Sequence, residues 1–369
     1  LLSFLYNSFS NLVKVIQLFV VQLNIINNIF SITAKNFNKI AEEVYQFQYK
    51  HNKVYRKWCH LISVNDQSTK VNGINKVHKT QNEELLTTNY QPFTAFHFLP
   101  VSFFKSHTIT STLFHPQQIF ESSGTTNTVN SKHLVKEVDI YMQSFTNAFQ
   151  LFYGNITDYC IIGLLPSYLD REKNTSSLVM MVDELIKRSN HVNSGFYLNE
   201  FDNLHRTLEH LESQQQKTLL IGVTFALLDF AETHPVHLKH TIVMETGGMK
   251  GRRKELTRAE VHAIITKGLG VTKVHSEYGM TELLSQAYSN GDGRFTCPPW
   301  MKVMVRDAED ALNVKSFGKG VLNVIDLANL YSCSFIATDD VGVVYEDGSF
   351  EVWGRLDNSD IRGCSLLVI

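Results

Sequence analysis

Apolar positions recur at helical spacing near the front of the chain and in short unbroken runs through its middle. Phe37, Ile40, Ala41, Val44, Phe47 and Gln48 share one face of a helix predicted over Ala34–Leu61. The aromatic-rich stretch Gln46–Trp58 either continues that helix or begins a second one. Ile62–Gln91 is polar and irregular and reads as a loop, whereas Leu134–Phe152 reads as helix. Strand and helix signals then alternate. Strands are predicted at Asp158–Leu165, Thr218–Val223, Thr241–Met244 and Val271–His275. Helices are predicted at Ser176–Ser189, Asp202–Gln216, Phe225–Glu232 and Thr257–Lys267. Buried strands separated by helices fit a doubly wound sheet with helices on both faces. The part from Gly320 to Trp353 is richer in strands. Its Val341–Tyr345 and Ser349–Trp353 flank Glu346-Asp347-Gly348, a hairpin signal.

Composition bounds the partners. With 369 residues, 43% hydrophobic and 19% charged, the chain can bury a large core in one large or two modest domains. A net charge of −2 implies no general attraction to nucleic acid or to anionic membranes. The cluster Lys250, Arg252, Arg253 and Lys254 reads as a solvated loop. Cys59, Cys160, Cys297, Cys333 and Cys364 are scattered without a Cys-x-x-Cys pair, which suggests neither zinc nor disulfides and fits a reduced cytosol. Leu1–Phe30 is apolar, but Lys14, Gln17, Gln22, Asn24, Asn27 and Asn28 break it short of the roughly 20 residues that span a bilayer. It also lacks the basic start and cleavage site of a signal peptide. It reads as an upstream extension or gene-model artefact, with a peripheral amphipathic helix as the alternative. The expected organisation is therefore residues 1–30 as an extension and 31–369 as one domain. Within that domain, 31–120 form a helical entry and loop, 121–317 an α/β core and 318–369 a strand-rich part.

Four polar runs carry candidate chemistry. Glu121–His133 (ESSGTTNTVNSKH) packs Ser122, Ser123, Thr125 and Thr126 around Gly124. Such a loop presents many N–H and O–H donors, and its glycine lets the backbone approach a ligand closely, which suits phosphate oxygens. Lys132 and His133 add positive charge at its far edge. The Gly-Lys-Ser/Thr ending of a P-loop is missing, and alone such a run is more often a solvated loop. Ser276–Leu283 (SEYGMTEL) follows a predicted strand and precedes a helical pattern, at the kind of strand-to-helix turn where open α/β sheets bind ligands. There Tyr278 offers a flat face for a base, Thr281 a hydroxyl and Glu282 a carboxylate for Mg²⁺. The plainer reading is a helix start capped by Thr281, with Glu282 on the dipole. Thr338–Gly342 (TDDVG) sets two carboxylates at a strand end, or is an ordinary acidic turn. Trp353–Gly363 (WGRLDNSDIRG) places Arg355 and Asp357 directly after a strand, or is a surface ion pair.

In this order the four runs resemble the acyl-adenylate-forming superfamily. Its members carry a Ser/Thr/Gly-rich phosphate loop and Tyr-Gly-x-Thr-Glu, Thr-Gly-Asp and Gly-Arg-x-Asp motifs. From about Asn36 onward the chain is more closely similar to the bacterial acyl-protein synthetases, which include the fatty-acid-activating, luciferin-component ligase subunit of luminescence systems. The segments carrying that likeness are Phe98–His107, ESSGTT, Met244–Glu255 (METGGMKGRRKE), HSEYGMTELLSQ and Asp360–Leu367 (DIRGCSLL).

The resemblance implies an α/β fold: the doubly wound mixed sheets of the superfamily's large domain, a strand-rich C-terminal part, and no separate C-terminal lid domain. It implies ATP and Mg²⁺ as cofactors. Ser122, Ser123, Gly124, Thr125 and Thr126 would hold the β- and γ-phosphates, and Gly247, Gly248 and Met249 would line adenine. Tyr278, followed by Gly279, would stack on adenine. Thr281 would touch the α-phosphate, Glu282 would bind Mg²⁺, Asp340 would grip the ribose hydroxyls and Arg355 would add a ribose or phosphate contact. Asn127 stands where relatives carry glycine, and asparagine tolerates left-handed backbone. Asp339 also replaces a common glycine, and its role stays open. Few residues follow Gly363, so the lid lysine of full-length relatives has no expected counterpart. One lost electrostatic donor costs about 10²–10³ in rate, less than enzymes commonly supply.

Cys364 matches the cysteine near the C-terminus of acyl-protein synthetases that accepts the acyl group as a thioester. A thiolate is apt for that role and Arg362 would raise its fraction. Equally, Cys364 packs a terminal strand with Leu366, Leu367 and Ile369. The implied function is cytoplasmic, ATP-dependent activation of a carboxylic acid as acyl-AMP, then transfer to a protein cysteine. By resemblance the acid is a long-chain fatty acid, and the partner is an acyl-accepting protein or reductase subunit, with no nucleic acid and no integral membrane contact. The alternatives are an acyl-CoA ligase, acyl transfer to a saccharide or carrier protein, and a non-catalytic nucleotide-binding subunit.

Overall fold

The computed structural model describes residues 20–70, 96–122, 129–165, 176–198, 200–247 and 256–356, with backbone alone for 64–70. Unbroken apolar runs become the parallel half of a mixed sheet that has 13 strands among these residues. In spatial order they are His275–Tyr278, Thr241–Thr246, Thr218–Val223, Cys160–Leu164 and Gly195–Phe196. Cys160–Leu164 and Thr218–Val223 are buried at every position, because both faces are covered and the usual alternation is lost. The faces can be told apart residue by residue. Glu245 accepts from Thr224 and lies beside Arg258, which begin the helices Thr224–Thr233 and Arg258–Leu269. The next residue, Thr246, donates to Glu277 near Tyr141 and Tyr153 of the helix Val138–Tyr153. Consecutive strand residues point to opposite faces, so helices cover both.

The antiparallel half continues the same sheet through Ala287–Ser289, Phe295–Thr296, Phe350–Arg355, Phe335–Val344, Gly318–Asp326, Met301–Arg306 and Val314–Lys315. Phe335–Val344 and Phe350–Arg355 form the expected hairpin, with Asp340 opposite Arg355. Met301–Arg306 alternates buried and half-buried positions, as expected of a strand with one wetter face. The predicted N-terminal helix is two helices, Phe37–His51 and Lys53–Lys70. They part at Asn52, whose Oδ1 accepts from the Tyr55 amide at 2.9 Å and whose Nδ2 donates to the Ser332 carbonyl at 3.0 Å. Phe335 then sits among Tyr45, Tyr55 and Phe96, with ring centroids 5.4, 6.1 and 4.9 Å away.

Several expectations are corrected. Residues 62–70 continue a helix instead of a loop, while 71–91 lie outside the described residues. The helix expected over Leu134–Phe152 is preceded by a strand, Lys132–Val135, because that segment pairs with Gln118–Glu121 as a hairpin; the helix begins at Val138. The strand placed at Val271–His275 begins at His275 and runs to Tyr278. No helix follows it. The chain turns through 279–286 and returns antiparallel, with Tyr278 opposite Ala287. Thr281 and Glu282 therefore occupy a turn between strands, and the helix-cap reading of Thr281 falls away. Residues 20–29 form a helix whose Ile25 and Ile29 are buried, and Phe30 meets Trp300 edge-on at 5.1 Å. No described helix is long and apolar enough to cross a membrane.

Packing of the two helices that cover the Glu245 face generates a test. A Cβ on Gly268 would lie 2.3 Å from the Ala231 carbonyl oxygen, a backbone atom with little room to yield. Helix propensity alone predicts that Gly268→Ala stabilises by roughly 1 kcal/mol. Overpacking costs about 1–3 kcal/mol. The clash outweighs the propensity, so urea denaturation should show Gly268→Ala less stable than the native chain. A gain in stability would mean that the two helices separate easily.

Candidate functional site

The carboxyl ends of Thr218–Val223, Thr241–Thr246 and His275–Tyr278 lie side by side, and polar groups gather there. Thr224 Oγ1 donates to Glu245 Oε2 at 3.1 Å and to the Gly247 carbonyl at 3.0 Å, which fixes Gly247 as it leaves its strand with φ +70°. Burial drives the Glu245 carboxyl upward, but His262, Arg258 and Ser276 outweigh it and hold the group below its ordinary range. Arg258 also donates to the Val352 carbonyl at 3.2 Å and lies over the Phe295 ring, tying this corner to the antiparallel half.

Tyr278 ends its strand with the ring packed against Phe295 and Phe350 at 5.9 and 5.3 Å. Its hydroxyl donates to Asp340 Oδ2 at 2.8 Å. Arg355 Nε donates to Asp340 Oδ1 at 3.0 Å, and the Asp340 amide donates to Thr338 Oγ1 at 3.1 Å. Two residues from different motifs thus converge on one buried carboxylate. Tyr278 is only 9% exposed, so it has little open face for a stacked base. Gly279 follows at the strand end, where a Cβ would lie 2.5 Å from Glu277 Oε1.

The turn after Gly279 is held from outside. The Thr281 carbonyl accepts from His133 Nδ1 at 2.8 Å, and the Glu282 carbonyl accepts from Asn329 Nδ2 at 2.7 Å. Asp326 accepts from the amides of Leu284 and Ser285 at 2.7 and 3.0 Å and from the Ser285 hydroxyl at 2.5 Å. Glu282 is buried, and burial raises its carboxyl above the ordinary range against the pull of a Ser131 hydrogen bond and the charges of Arg355 and Lys105. Arg355 is therefore within electrostatic reach of both Asp340 and Glu282.

Ser122 closes the neck of the hydroxyl-rich run. Its amide donates to the Ser131 carbonyl at 3.1 Å, and its Oγ accepts from the Ser131 amide at 2.9 Å. Ser123, Gly124, Thr125 and Thr126 lie outside the described residues, as do Gly248, Met249 and Cys364. Lys132 pairs with Glu121 at 3.3 Å. The positive charge expected of His133 is corrected: the ring is buried, and desolvation pushes its pKa down to about 4, so it is neutral near pH 7.

Sequence reasoning did not single out Thr224, Glu277, Asp326 or Asn329. The available signal lay in Asp326 and Asn329, two polar residues closing the apolar strand of VLNVIDLAN. A concavity of about 720 Å³ opens at the other end of the parallel strands, bordered by Tyr153, Ile242, His275 and Arg294, and no predicted site residue borders it.

The acyl-protein synthetase, LuxE, family matches residues 30–369. The chain belongs to this family. The resemblance read from the ordered motifs, and the enzyme class it implies, hold for the chain. A curated relative, the long-chain-fatty-acid–luciferin-component ligase of Aliivibrio fischeri, is 21% identical over 355 residues, covering 89% of this chain and 86% of its own length. Among solved structures, ATP-bound MatB from Rhodopseudomonas palustris shares 18% identity over 64% of this chain and 47% of its own, with a TM-score of 0.46. The O-succinylbenzoate coenzyme A synthetase MenE from Bacillus subtilis, in complex with AMP, shares 15% over 68% and 50%, with a TM-score of 0.44. The chain thus spans about half the length of these solved structures.

The buried acids leave a pH signature. Burial pushes Glu277 from its ordinary value of 4.5 up to about 7, opposed by the Thr246 hydrogen bond and aided by the Glu245 charge. The fold therefore favours the neutral form. That contribution is complete below about pH 4.5 and is lost as pH rises through 7. His275, lowered by burial from 6.5 to about 4, acts in the opposite sense: its contribution is complete above 6.5 and is lost as pH falls through 4. Glu277→Gln removes the first effect and keeps the second. Relative to the native chain, it should gain stability between pH 5 and pH 7.5, by at most about 3 kcal/mol. Urea melts at the two pH values measure this. An equal difference at both would mean that Glu277 titrates normally.

Proposed function

We propose that the chain activates a carboxylic acid with ATP and Mg²⁺, forming acyl-AMP and releasing pyrophosphate, then passes the acyl group to a protein thiol. The observation that carries this reading is the convergence of Tyr278 and Arg355 on the buried Asp340 carboxylate, with Glu282 within electrostatic reach of Arg355, so that three separate motifs meet within a family of acyl-protein synthetases. A long-chain fatty acid is the substrate class favoured by the curated relative's name. An acyl-accepting protein is the partner implied by the family's name.

The residues present fit both groups. Mg²⁺ is commonly held by one or two carboxylates together with phosphate oxygens, and Glu282 offers one buried carboxyl that sheds its proton more readily beside a cation. Mg²⁺, when bound, would spread the charge of the phosphates. The Arg355 guanidinium supplies fixed positive charge beside the same position. Asp340 accepts from Tyr278 and Arg355 with one lone pair on each oxygen. An ionised carboxylate has about four lone-pair sites, so two remain for hydroxyl donors such as those of a ribose. Ser123–Thr126, Gly248 and Met249 would complete the nucleotide contacts, and Cys364 would receive the acyl group.

Pyrophosphate exchange tests the first half-reaction. ATP and a fatty acid should support ATP–pyrophosphate exchange by the native chain. Glu282→Gln, which keeps shape and removes charge, should lower it on the order of 10²-fold while leaving the melting temperature within a few degrees. Exchange that is unaffected by the substitution would leave Glu282 as a turn residue only.

The second half-reaction has its own assay. Incubation with ATP, Mg²⁺ and radiolabelled fatty acid should label the protein, and neutral hydroxylamine should release the label from a thioester. Cys364→Ser should abolish the label or make it resistant, with pyrophosphate exchange intact because adenylation does not use the thiol. A hydroxylamine-sensitive label persisting in the serine variant rules out Cys364 as the acceptor.

A further inference from the structure

Two buried side chains, His133 at the edge of the hydroxyl-rich run and Asn329 outside every sequence motif, hold the turn that carries Thr281 and Glu282. His133 lies on the strand Lys132–Val135, and Asn329 lies in the short helical turn Leu327–Asn329 that follows the strand Gly318–Asp326. His133 Nδ1 donates to the Thr281 carbonyl at 2.8 Å, Asn329 Nδ2 donates to the Glu282 carbonyl at 2.7 Å, and His133 Nε2 lies 2.9 Å from Asn329 Oδ1. The two hydrogen bonds form a bracket across two consecutive carbonyls; the neutral ring has one N–H, which goes to Thr281, so the approach of Nε2 to Oδ1 is not a hydrogen bond. Both side chains are 1% exposed. The cavity beside them holds about 10 Å³, room for one water at most, so they act on protein and not on a ligand. Phe104 and Phe120 meet the His133 ring edge-on, which fixes its plane.

We propose that His133 and Asn329 are positioning residues for the adenylation site: by holding the carbonyls of Thr281 and Glu282 they fix the direction in which the Glu282 carboxylate is presented. The inference rests on the reading of Glu282 as the Mg²⁺-binding carboxylate. A carboxylate on a turn can swing if the peptide planes on either side of it rotate. Here the plane before Glu282 is held through the Thr281 carbonyl and the plane after it through the Glu282 carbonyl. Asp326 pins the amides of Leu284 and Ser285 just beyond. The bracket also joins three elements distant in sequence: the strand after the hydroxyl-rich run, the Thr281–Glu282 turn and the end of a long antiparallel strand. Removing an outer partner of a metal-binding carboxylate typically costs about 10–100-fold in affinity or activity.

The test uses the full chain with four variants. Asn329→Ala removes the donor to the Glu282 carbonyl. His133→Phe keeps aromatic packing beside Phe104 and Phe120 and removes the donor to Thr281. His133→Asn retains a donor near the Nδ1 position. Asn329→Asp keeps the oxygen facing His133 but loses the donor to Glu282. Hydrogen–deuterium exchange of the unliganded protein is the readout independent of activity. Peptides covering 280–286 should exchange about tenfold faster in Asn329→Ala, Asn329→Asp and His133→Phe, and near the native rate in His133→Asn, with Thr218–Val223 unchanged in all. In pyrophosphate exchange, the Mg²⁺ concentration for half-maximal rate should rise about tenfold in the same three variants while KM for ATP moves less than threefold. Unchanged protection at 280–286, or an unchanged Mg²⁺ requirement in variants whose core protection is native, would overturn the positioning role alone. A native chain that catalyses no exchange with any acid would overturn the nucleotide reading and this role together.

Discussion

Much of the arrangement depends on one buried carboxylate, Asp326. It closes the strand Gly318–Asp326 and is fully buried, where an unpaired charge would be severely penalised. It is instead surrounded by donors: the amides of Leu284, Ser285 and Ala328 and the hydroxyl of Ser285. Burial pushes its pKa up to about 6, against those four hydrogen bonds. Removing this acceptor would leave several buried donors without a partner, each costing about 1–3 kcal/mol. The turn it grips is where the chain leaves the parallel half of the sheet and enters the antiparallel half. Asp326 thus fixes how the two halves meet, and Thr281 and Glu282 inherit their position from that junction.

The same logic separates four acids that a sequence cannot tell apart. Glu245, Glu277, Glu282 and Asp340 are all buried, the first three at or next to strand ends and Asp340 in mid-strand. Glu245 has Arg258 and His262 beside it and is held low. Among the described residues Glu277 has Thr246 as its side-chain donor, with Glu245 adding negative charge, and is driven up to about 7. Glu282 lies between these cases: burial raises it, while Arg355 and Lys105 resist. A group of that kind changes charge readily when a cation arrives, whereas an already paired carboxylate such as Glu245 gains less. On the proposed reading Glu282 is the carboxylate that meets a cation, whereas Glu245 already has Arg258 beside it.

The parallel half of the fold was legible because its strands are unbroken apolar runs separated by helices of ordinary length. Thr218–Val223 was placed to the residue for that reason. Legibility failed where tertiary pairing overrides local pattern. Lys132–Val135 reads as the start of a helix until Gln118–Glu121 lies beside it, and the apolar–polar run after Glu282 looks helical although Asp326 and Asn329 hold it as a turn. Three of the four motifs meet, since Tyr278 and Arg355 share Asp340. The bracket formed by His133 and Asn329 was not legible, because His133 reads as a positive edge of the hydroxyl-rich run and Asn329 as an ordinary polar position. Their meaning comes from bonds to the Thr281 and Glu282 carbonyls, 148 and 47 positions away in sequence.

Asp340 also indicates which part of the site can give way. Its bond to Tyr278 is buried on both sides, and breaking it would strand a phenolic hydroxyl at a cost of about 1–3 kcal/mol. Its bond to Arg355 is different. The arginine side chain is 71% exposed, and an ion pair of that kind is worth only about 0–1 kcal/mol. A ligand group that needed more than the two free lone pairs of Asp340 would displace Arg355 before Tyr278. Arg355 stands at the end of the strand Phe350–Arg355, so its side chain can move without disturbing the sheet. The rigid half of the contact orients the carboxylate. The exposed half would let the guanidinium, which meets Asp340 through Nε alone, exchange its carboxylate partner for a phosphate and bind it in the paired geometry open to arginine.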